Sequence, residues 1–335
     1  DYSSSANDNF IVEGIQGSDT SLGWVGYAYY KAEQDSMKGI GIDTGDGCVV
    51  PSDDSIADGS YGFSRSLYVY VNVDKAAENP AIVSFIDLYL SEQGLAKVGE
   101  AGYVDLPDAR IAATQAAWTQ RSNDADTSSD EEAAGEVDLA AGSVFVSGSS
   151  TVEPINIRVA ELAAELSGGS LAVTVEGPGT GDGFKKFCEG AADVTGGSRA
   201  IKDSEAETCA EAGVNFVELE VAIDGLTVAT NPANSAVECL DVPGLYALLG
   251  PESEGFSSWA DANALAGEVG SAYTSFPDAP LTVFGPGEES GTYDSFVEFA
   301  IEGLAEERVG EDAIYTRADY SSSANDNFIV EGIQG

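Results

Sequence analysis

From residue 143 onward, short apolar runs alternate with stretches whose apolar residues recur every three to four positions. That alternation restricts the chain to a few architectures. "SVFVS" (143–147) reads as a strand, and 152–166 places Val152, Ile155, Val159, Leu162 and Leu166 on one helical face. "LAVTVEG" reads as a strand, and a glycine-rich turn leads from it into "FKKFCEG". "GVNFVELEVAIDGLTVATNP" holds two strand-like runs. "LTVFGPG" is a strand before a helix with Phe296, Ala300, Ile301 and Leu304 on one face. Earlier in the chain, "FIVEGIQG" leads to "LGWVGYAYY" and "SRSLYVYVNV" is β-rich. "PAIVSFIDLYLSEQGLAKV" reads as one buried helix, and "LPDARIAATQAAWTQR" as a terminal helix. The pattern predicts an α/β fold with mostly parallel sheets.

Three segments share one design, a strand, then a turn of Gly, Ser and Thr, then a helix. They are "VSGSSTVEPI" (146–155), "EGPGTGDGFKKF" (176–187) and "FGPGEESGTYDSF" (284–296). A helix start carries unpaired N–H groups and partial positive charge. Hydroxyls add donors, so converging helix starts make an oxyanion cage. One such turn is ordinary helix capping; three in one chain point to an anion. None matches a P-loop, and "GPGTGDG" is not a dinucleotide fingerprint.

The chain of 335 residues carries 58 acidic and 14 basic side chains, a net charge of −44, and no histidine. Nucleic acid is excluded as a partner class, because phosphate backbones demand clustered Lys and Arg. At molar salt the Debye length falls to about 3 Å, which screens such self-repulsion. The composition therefore reads as halophilic. No apolar run approaches the roughly 20 residues of a membrane span. With no initiator Met (the only Met is Met37), the chain reads as a processed or excised product. Four cysteines fit two disulfides and an oxidising compartment. Cys188 and Cys209 flank one apparent unit, which leaves Cys48 with Cys239; the spacing does not suit zinc.

Arginines are scarce. Arg199 in "TGGSRAIK" and Arg317 in "YTRADY" follow apolar runs at turns, where a guanidinium fork could meet a tetrahedral oxyanion or a surface carboxylate. Arg65 in "FSRSLY" is a third, for which a structural ion pair is the favoured reading.

"SGSSTVEPI", "FCEGAADVTGGSRAIK", "IDGLTVATNP", "FGPGEESGTYDSF", "TRADYSSSANDNFIVEGI" and "GWVGYAYY" together resemble the PstS family of phosphate-binding proteins, in its SphX-like branch. The resemblance implies a type II periplasmic-binding-protein fold, two α/β lobes with a ligand cleft. It implies an extracellular receptor, here of a halophilic archaeon, that captures inorganic phosphate between the lobes and hands it to the membrane subunits of an ABC importer. Neither catalysis nor a cofactor is implied. Carried over by motif, the ligand groups are Ser150, Thr151, the backbone of Val152, Thr180, Ser198 and Arg199, then Ser290, Gly291 and Thr292, with Arg317 and Asp326 (or its copy Asp8). Some relatives have aspartate where Arg199 stands, so the acidic group that takes the phosphate proton falls to Asp326 or Asp8. A phosphoryl-transfer enzyme is disfavoured, with no His and no activated nucleophile in view.

The order of the motifs departs from the family. "SGSST" opens the family domain and the "LPD…W" helix closes it, whereas here the closing helix precedes the opening strand. The acidic stretch "SNDADTSSDEEAAG" (122–135) between them reads as a disordered linker. The chain thus reads as a circular permutant. Lobe 2 takes 1–45 and 226–335, lobe 1 takes 46–121 and 143–225, and 122–142 is the linker. "DYSSSANDNFIVEGIQG" stands at both 1–17 and 319–335. One copy suffices for one lobe. The spare raises an alternative function, a structural subunit of an extracellular filament or surface assembly, built by tandem linkage or by exchange of "NFIVEGI" as a strand between copies of the chain.

Overall fold

The structure is a computed structural model and describes residues 6–123, 139–287, 291–310 and 313–322. These fall into two compact units, residues 65–224 and residues 6–64 with 225–322. The boundaries lie at 64/65 and 224/225, so 46–64 fold with the second unit rather than with the first as expected. Local bonds explain it. The Cys48–Cys239 disulfide ties that segment to the 239–241 strand, and Leu226 N donates to Phe63 O at 2.9 Å.

The chain enters through α1 (Ala6–Gln16), β1 (Ser21–Gly26) and α2 (Tyr27–Ala32). The short strands β2 (Lys38–Gly39), β3 (Gly41–Asp43) and β4 (Cys48–Val49) and helix α3 (Asp53–Ala57) follow. The first unit then runs β5 (Ser64–Asn72), α4 (Val73–Glu78), α5 (Pro80–Tyr89), α6 (Glu92–Glu100) and α7 (Asp108–Gln120). It continues with β6 (Gly142–Ser147), α8 (Glu153–Leu166), β7 (Leu171–Glu176), α9 (Thr180–Cys188), β8 (Val194–Gly197) and α10 (Asp203–Glu211). The long strand β9 (Phe216–Thr230) leads back to the second unit. There follow β10 (Cys239–Asp241), α11 (Val242–Leu249), α12 (Asn263–Glu268), β11 (Thr282–Gly285), α13 (Gly291–Phe296), α14 (Glu302–Arg308) and β12 (Ser321–Ser322).

In the first unit the strand order is β9-β5-β8-β6-β7. β6 pairs parallel with β7 and β8, while β5 pairs antiparallel with β8. Alternation on β6 puts Val144 and Val146 inside. On α8, Ile155, Val159 and Ala163 are buried at helical spacing, together with Val152 just ahead of it. Leu166, expected on that face, is 51% exposed, because the packed stripe ends at Ala163 a turn earlier. The helix predicted over "PAIVSFIDLYLSEQGLAKV" is two helices. Ser91 ends one and caps the next, its Oγ accepting from Gly94 N at 3.2 Å. Conversely, the two runs expected in 214–232 are one strand, β9. Phe184, Phe187 and Tyr70 pack round the buried Cys188–Cys209 disulfide, and each fully buried side chain of this size contributes about 1.5–3 kcal/mol. Both bridges are the expected ones.

In the second unit the order is β12-β11-β1-β9, with β2 also on β9, beside the small sheet β10-β3-β4. β1 and β12 flank β11 in parallel. "NFIVEGI", weighed above as an exchanging strand, lies in the N-terminal copy within α1. Ile11, Val12 and Ile15 on one face meet Val25, Tyr29 and Ala229 in one buried cluster. Asn231 Nδ2 donates to Ile15 O at 3.0 Å and Gln16 O at 3.1 Å, satisfying the helix end. From the C-terminal copy, Ser321–Ser322 form β12, and Tyr320 OH donates to Pro286 O at 2.6 Å. The described parts of the two copies therefore divide one segment. The C-terminal copy gives its first four residues, and the N-terminal copy gives those from the sixth onward. Residues 124–138, most of the linker, lie outside the described residues. Among the described residues no helix is long and apolar enough to cross a membrane.

Candidate functional site

Two of the three sequence-predicted turns meet in the first unit. β6 ends at Ser147, and the chain crosses over β8 through Gly148–Val152 before α8 begins. Ser149 N donates to Gly196 O at 2.9 Å, and Gly179 N, ahead of α9, donates to Gly148 O at 3.1 Å. Glycine permits this approach. A Cβ on Gly148 would lie 2.3 Å from Gly196 N, and one on Gly183 would lie 2.5 Å from Gly148 Cα. The backbones of β6, α9 and β8 are thus drawn together at one end of the sheet.

The hydroxyls follow the backbone. Thr180 Oγ1, at the first residue of α9, and Ser198 Oγ, just past β8, are 3.0 Å apart, and Ser198 N donates to Thr180 Oγ1 at 3.3 Å. Thr151 is 4% exposed and Ser150 half-buried. Ser149 caps its own turn, its Oγ accepting from Thr151 N at 3.1 Å and its carbonyl accepting from Val152 N at 3.1 Å. The Val152 amide, expected to face a ligand, is thereby engaged within the turn. Tyr103 OH donates to Thr151 O at 2.6 Å and fixes the turn from the side.

The arginine expected here is committed elsewhere. Both terminal nitrogens of Arg199 donate to Glu205 on α10, each at 2.8 Å, and its guanidinium carbon stands 5.6 Å from the Phe184 ring centre. That fork holds the Glu205 carboxyl below the ordinary glutamate range. Arg65 makes the structural ion pair expected of it, with Asp224, and stands beside the turn. Its Nη2 is 3.5 Å from Thr151 Oγ1, and its Nε donates to Asp224 at 3.2 Å. The side chains of this pair are 11% and 10% exposed. Asp224 carried no sequence signal, because its partner lies 159 residues away.

The third turn belongs to the second unit. Ser290 lies outside the described residues; Gly291 opens α13, and Thr292 is half-buried beside Gly26. Arg317 is 4% exposed. Its Nε and Nη2 donate to Asp319 at 2.7 and 2.8 Å, and Nη2 also donates to Phe256 O at 2.7 Å. Hydrogen bonding to Arg317 lowers the Asp319 pKa. Arg317 Nη1 is buried with no partner among the described residues. Asp326 lies outside them, and Asp8 falls on α1 with its side chain undescribed. Among the described residues no group of three His, Cys, Asp or Glu side chains is arranged to hold a metal ion.

Comparison with known proteins bears on this geometry. The model of a PBP superfamily domain matches residues 125–329, more than half of the chain. "Protein SphX" of Synechococcus elongatus is 37% identical over 191 residues, covering 57% of this chain and 50% of that protein. "Phosphate-binding protein PstS" of Staphylococcus haemolyticus is 34% identical over 151 residues, 45% of this chain and 43% of that one. The chain spans about half the length of the curated relatives it matches. In fold it is similar to the phosphate-binding protein of a Streptococcus pneumoniae phosphate ABC transporter, with a TM-score of 0.53 at 18% identity over 79% of this chain and 80% of that one. A match of this extent places the chain by descent as well as by shape: it belongs to the PBP superfamily.

Proposed function

We propose that the chain is an extracellular solute-binding protein that captures inorganic phosphate for the membrane subunits of an ABC importer, without catalysing its conversion. The observation that carries this reading is the meeting of two helix starts, α8 and α9, with Thr151, Thr180 and Ser198 at one end of one sheet. Hydroxyl and amide donors gathered around Gly-rich turns suit a small, multiply charged oxyanion. The relatives named above as phosphate-binding proteins point to the same ligand. Ser150, Thr151, Thr180 and Ser198 are the proposed ligand groups of the first unit; Ser290, Gly291, Thr292 and Arg317 are those of the second.

Ligand that binds only the folded state stabilises it by mass action, about 2.7 kcal/mol at a hundredfold excess over Kd. Millimolar phosphate in molar potassium chloride is expected to raise the melting temperature by several degrees, and equimolar sulfate by less. An unchanged melting curve in phosphate would sink the reading.

Self-assembly is the second reading. It draws on the division of the repeated segment, since one α1 slot is served by a chain that carries the α1 sequence twice. Here too the permuted order is proposed, with 18–121 following the C-terminal copy in the family arrangement. Light scattering across a hundredfold range of protein concentration tests the assembly. A constant monomer mass contradicts it.

A further inference from the structure

We propose that the seat of α1 in the second unit is an exchange site, and that its second occupant is residues 324–334 of the same chain. The exchange is independent of phosphate and needs no second chain.

The site lies in a βαβ crossover built from both ends of the sequence. β12 and β1 each pair parallel with β11, one on either side. Parallel strands in one sheet are joined by a crossover, commonly a helix. α1 supplies that helix, but it is continuous only with β1. Ser322, the last residue of β12, belongs to the C-terminal copy, and Ala6, the first of α1, to the N-terminal copy. The crossover is therefore interrupted just ahead of its helix. Residues 324–334 repeat Ala6–Gln16 letter for letter, and Ser323 alone separates them from β12. They lie outside the described residues. Seating them in place of α1 moves the interruption to the far end of the helix, ahead of Ser18.

The groups that receive α1 lie outside the repeat, so they are the same for either copy. Ile11, Val12 and Ile15 pack with Val25, Tyr29, Met37 and Ala229. Gly14 faces the Phe284 ring so closely that a Cβ there would collide with it. Ser21 Oγ donates to Ile15 O at 2.7 Å, and Asn231 Nδ2 donates to Ile15 O and Gln16 O at 3.0 and 3.1 Å, closing the helix end. Ile329, Val330, Gly332 and Ile333 carry the same groups at the same spacing. Identical residues on an identical surface gain the same burial and the same bonds. Occupancy is then set by the tethers. The N-terminal copy is tied to β1 through residues 17–20, and the C-terminal copy to β12 through Ser323. Short tethers give each copy an effective concentration in the millimolar range, about a thousandfold above that of a free chain at micromolar concentration.

The test is a double-variant cycle in the full chain, read by thermal melting in molar potassium chloride. Ile15→Asp disables the N-terminal copy by putting a charge on its buried face, and Ile333→Asp disables the C-terminal copy in the same way. With equal seating, each single variant loses one of two ways to fill the site, and its melting temperature is expected to fall by less than about 2 °C. The double variant has no copy left to seat. It is expected to fall by about 10 °C or more, or not to fold, since three buried aliphatic side chains are lost together. A loss in the double variant that exceeds the sum of the single losses supports the exchange. Additive losses overturn it, as does a double variant as stable as the parent. Failure of Ile15→Asp alone to fold, or a loss in it as large as in the double variant, overturns it too. Light scattering and melts of Ile15→Asp across a hundredfold range of concentration identify the source of the occupant. A monomer with a constant melting temperature supports the same chain. A doubled mass and a melting temperature that rises with concentration assign the site to a second copy of the chain and overturn the assignment made here.

Discussion

The two units carry ligand-type residues in different states of preparation. In the first, two helix starts and the end of β8 are joined by direct bonds, Ser149 to Gly196, Gly179 to Gly148 and Thr180 to Ser198. In the second, Thr292 stands on a short helix after an undescribed turn, and Arg317 is held by Asp319 with one nitrogen left over. The first unit offers hydroxyl and amide donors already assembled with the Arg65–Asp224 pair beside them, and the second a buried arginine clasped by its own carboxylate. A site of the first kind is lost by disturbing backbone contacts; one of the second kind is lost by removing a charge or the partner that orients it.

The disulfides extend the comparison and give the largest expected effect. Cys48–Cys239 closes a separation of 191 residues in the second unit, and Cys188–Cys209 closes 21 in the first. On the chain-entropy account the bridges stabilise by about 5 and about 3 kcal/mol. Denaturant melts of the two Cys→Ser double variants should rank them in that order. The reverse order would mean that burial of the second bridge among Phe184, Phe187 and Tyr70 outweighs loop closure.

Next in size is the close approach of the turns. Gly148→Ala drives a methyl into the Gly196 backbone and is expected to cost about 1–3 kcal/mol. Gly181→Ala on α9 meets nothing within 4 Å and is expected to stabilise by about 0.5–1 kcal/mol. Equal costs in thermal melts would remove the argument that the first unit is built around backbone contact. Thr151→Val and Thr180→Val are each expected to weaken phosphate binding by roughly tenfold or more, whereas Thr292→Val should do less. A larger loss at Thr292 would reverse the ranking of the units.

The smallest effect is electrostatic. Glu205 and Asp319 both have lowered carboxyl pKa values because arginine binds the charged form. A depressed folded pKa contributes stability that is present above the unfolded value, about 4 for these groups, and is lost as pH falls through the folded one. Stability should therefore hold from neutrality to about pH 4 and decline below it. Arg199→Ala should flatten that decline; an unchanged acid limb would show that the clasp contributes nothing.

The sequence disclosed the strand–turn–helix design and both disulfides, because each is carried by local pattern or by counting. What it could not disclose is pairing at long range. Arg199 carried the motif, yet Glu205 six residues on occupies it. Arg65 lacked a motif, and only folding brings Asp224 and Thr151 near it. The repeated segment misled through propensity. "NFIVEGI" is rich in strand formers, but Ile11, Val12 and Ile15 also make a helical stripe, and the cluster around Val25 and Ala229 selects the helix.

A crystal structure of the chain grown with phosphate in high salt tests the central claim most directly. The account predicts tetrahedral density within about 3 Å of the Thr151 and Thr180 hydroxyls. An anion remote from the α8 and α9 starts would contradict it.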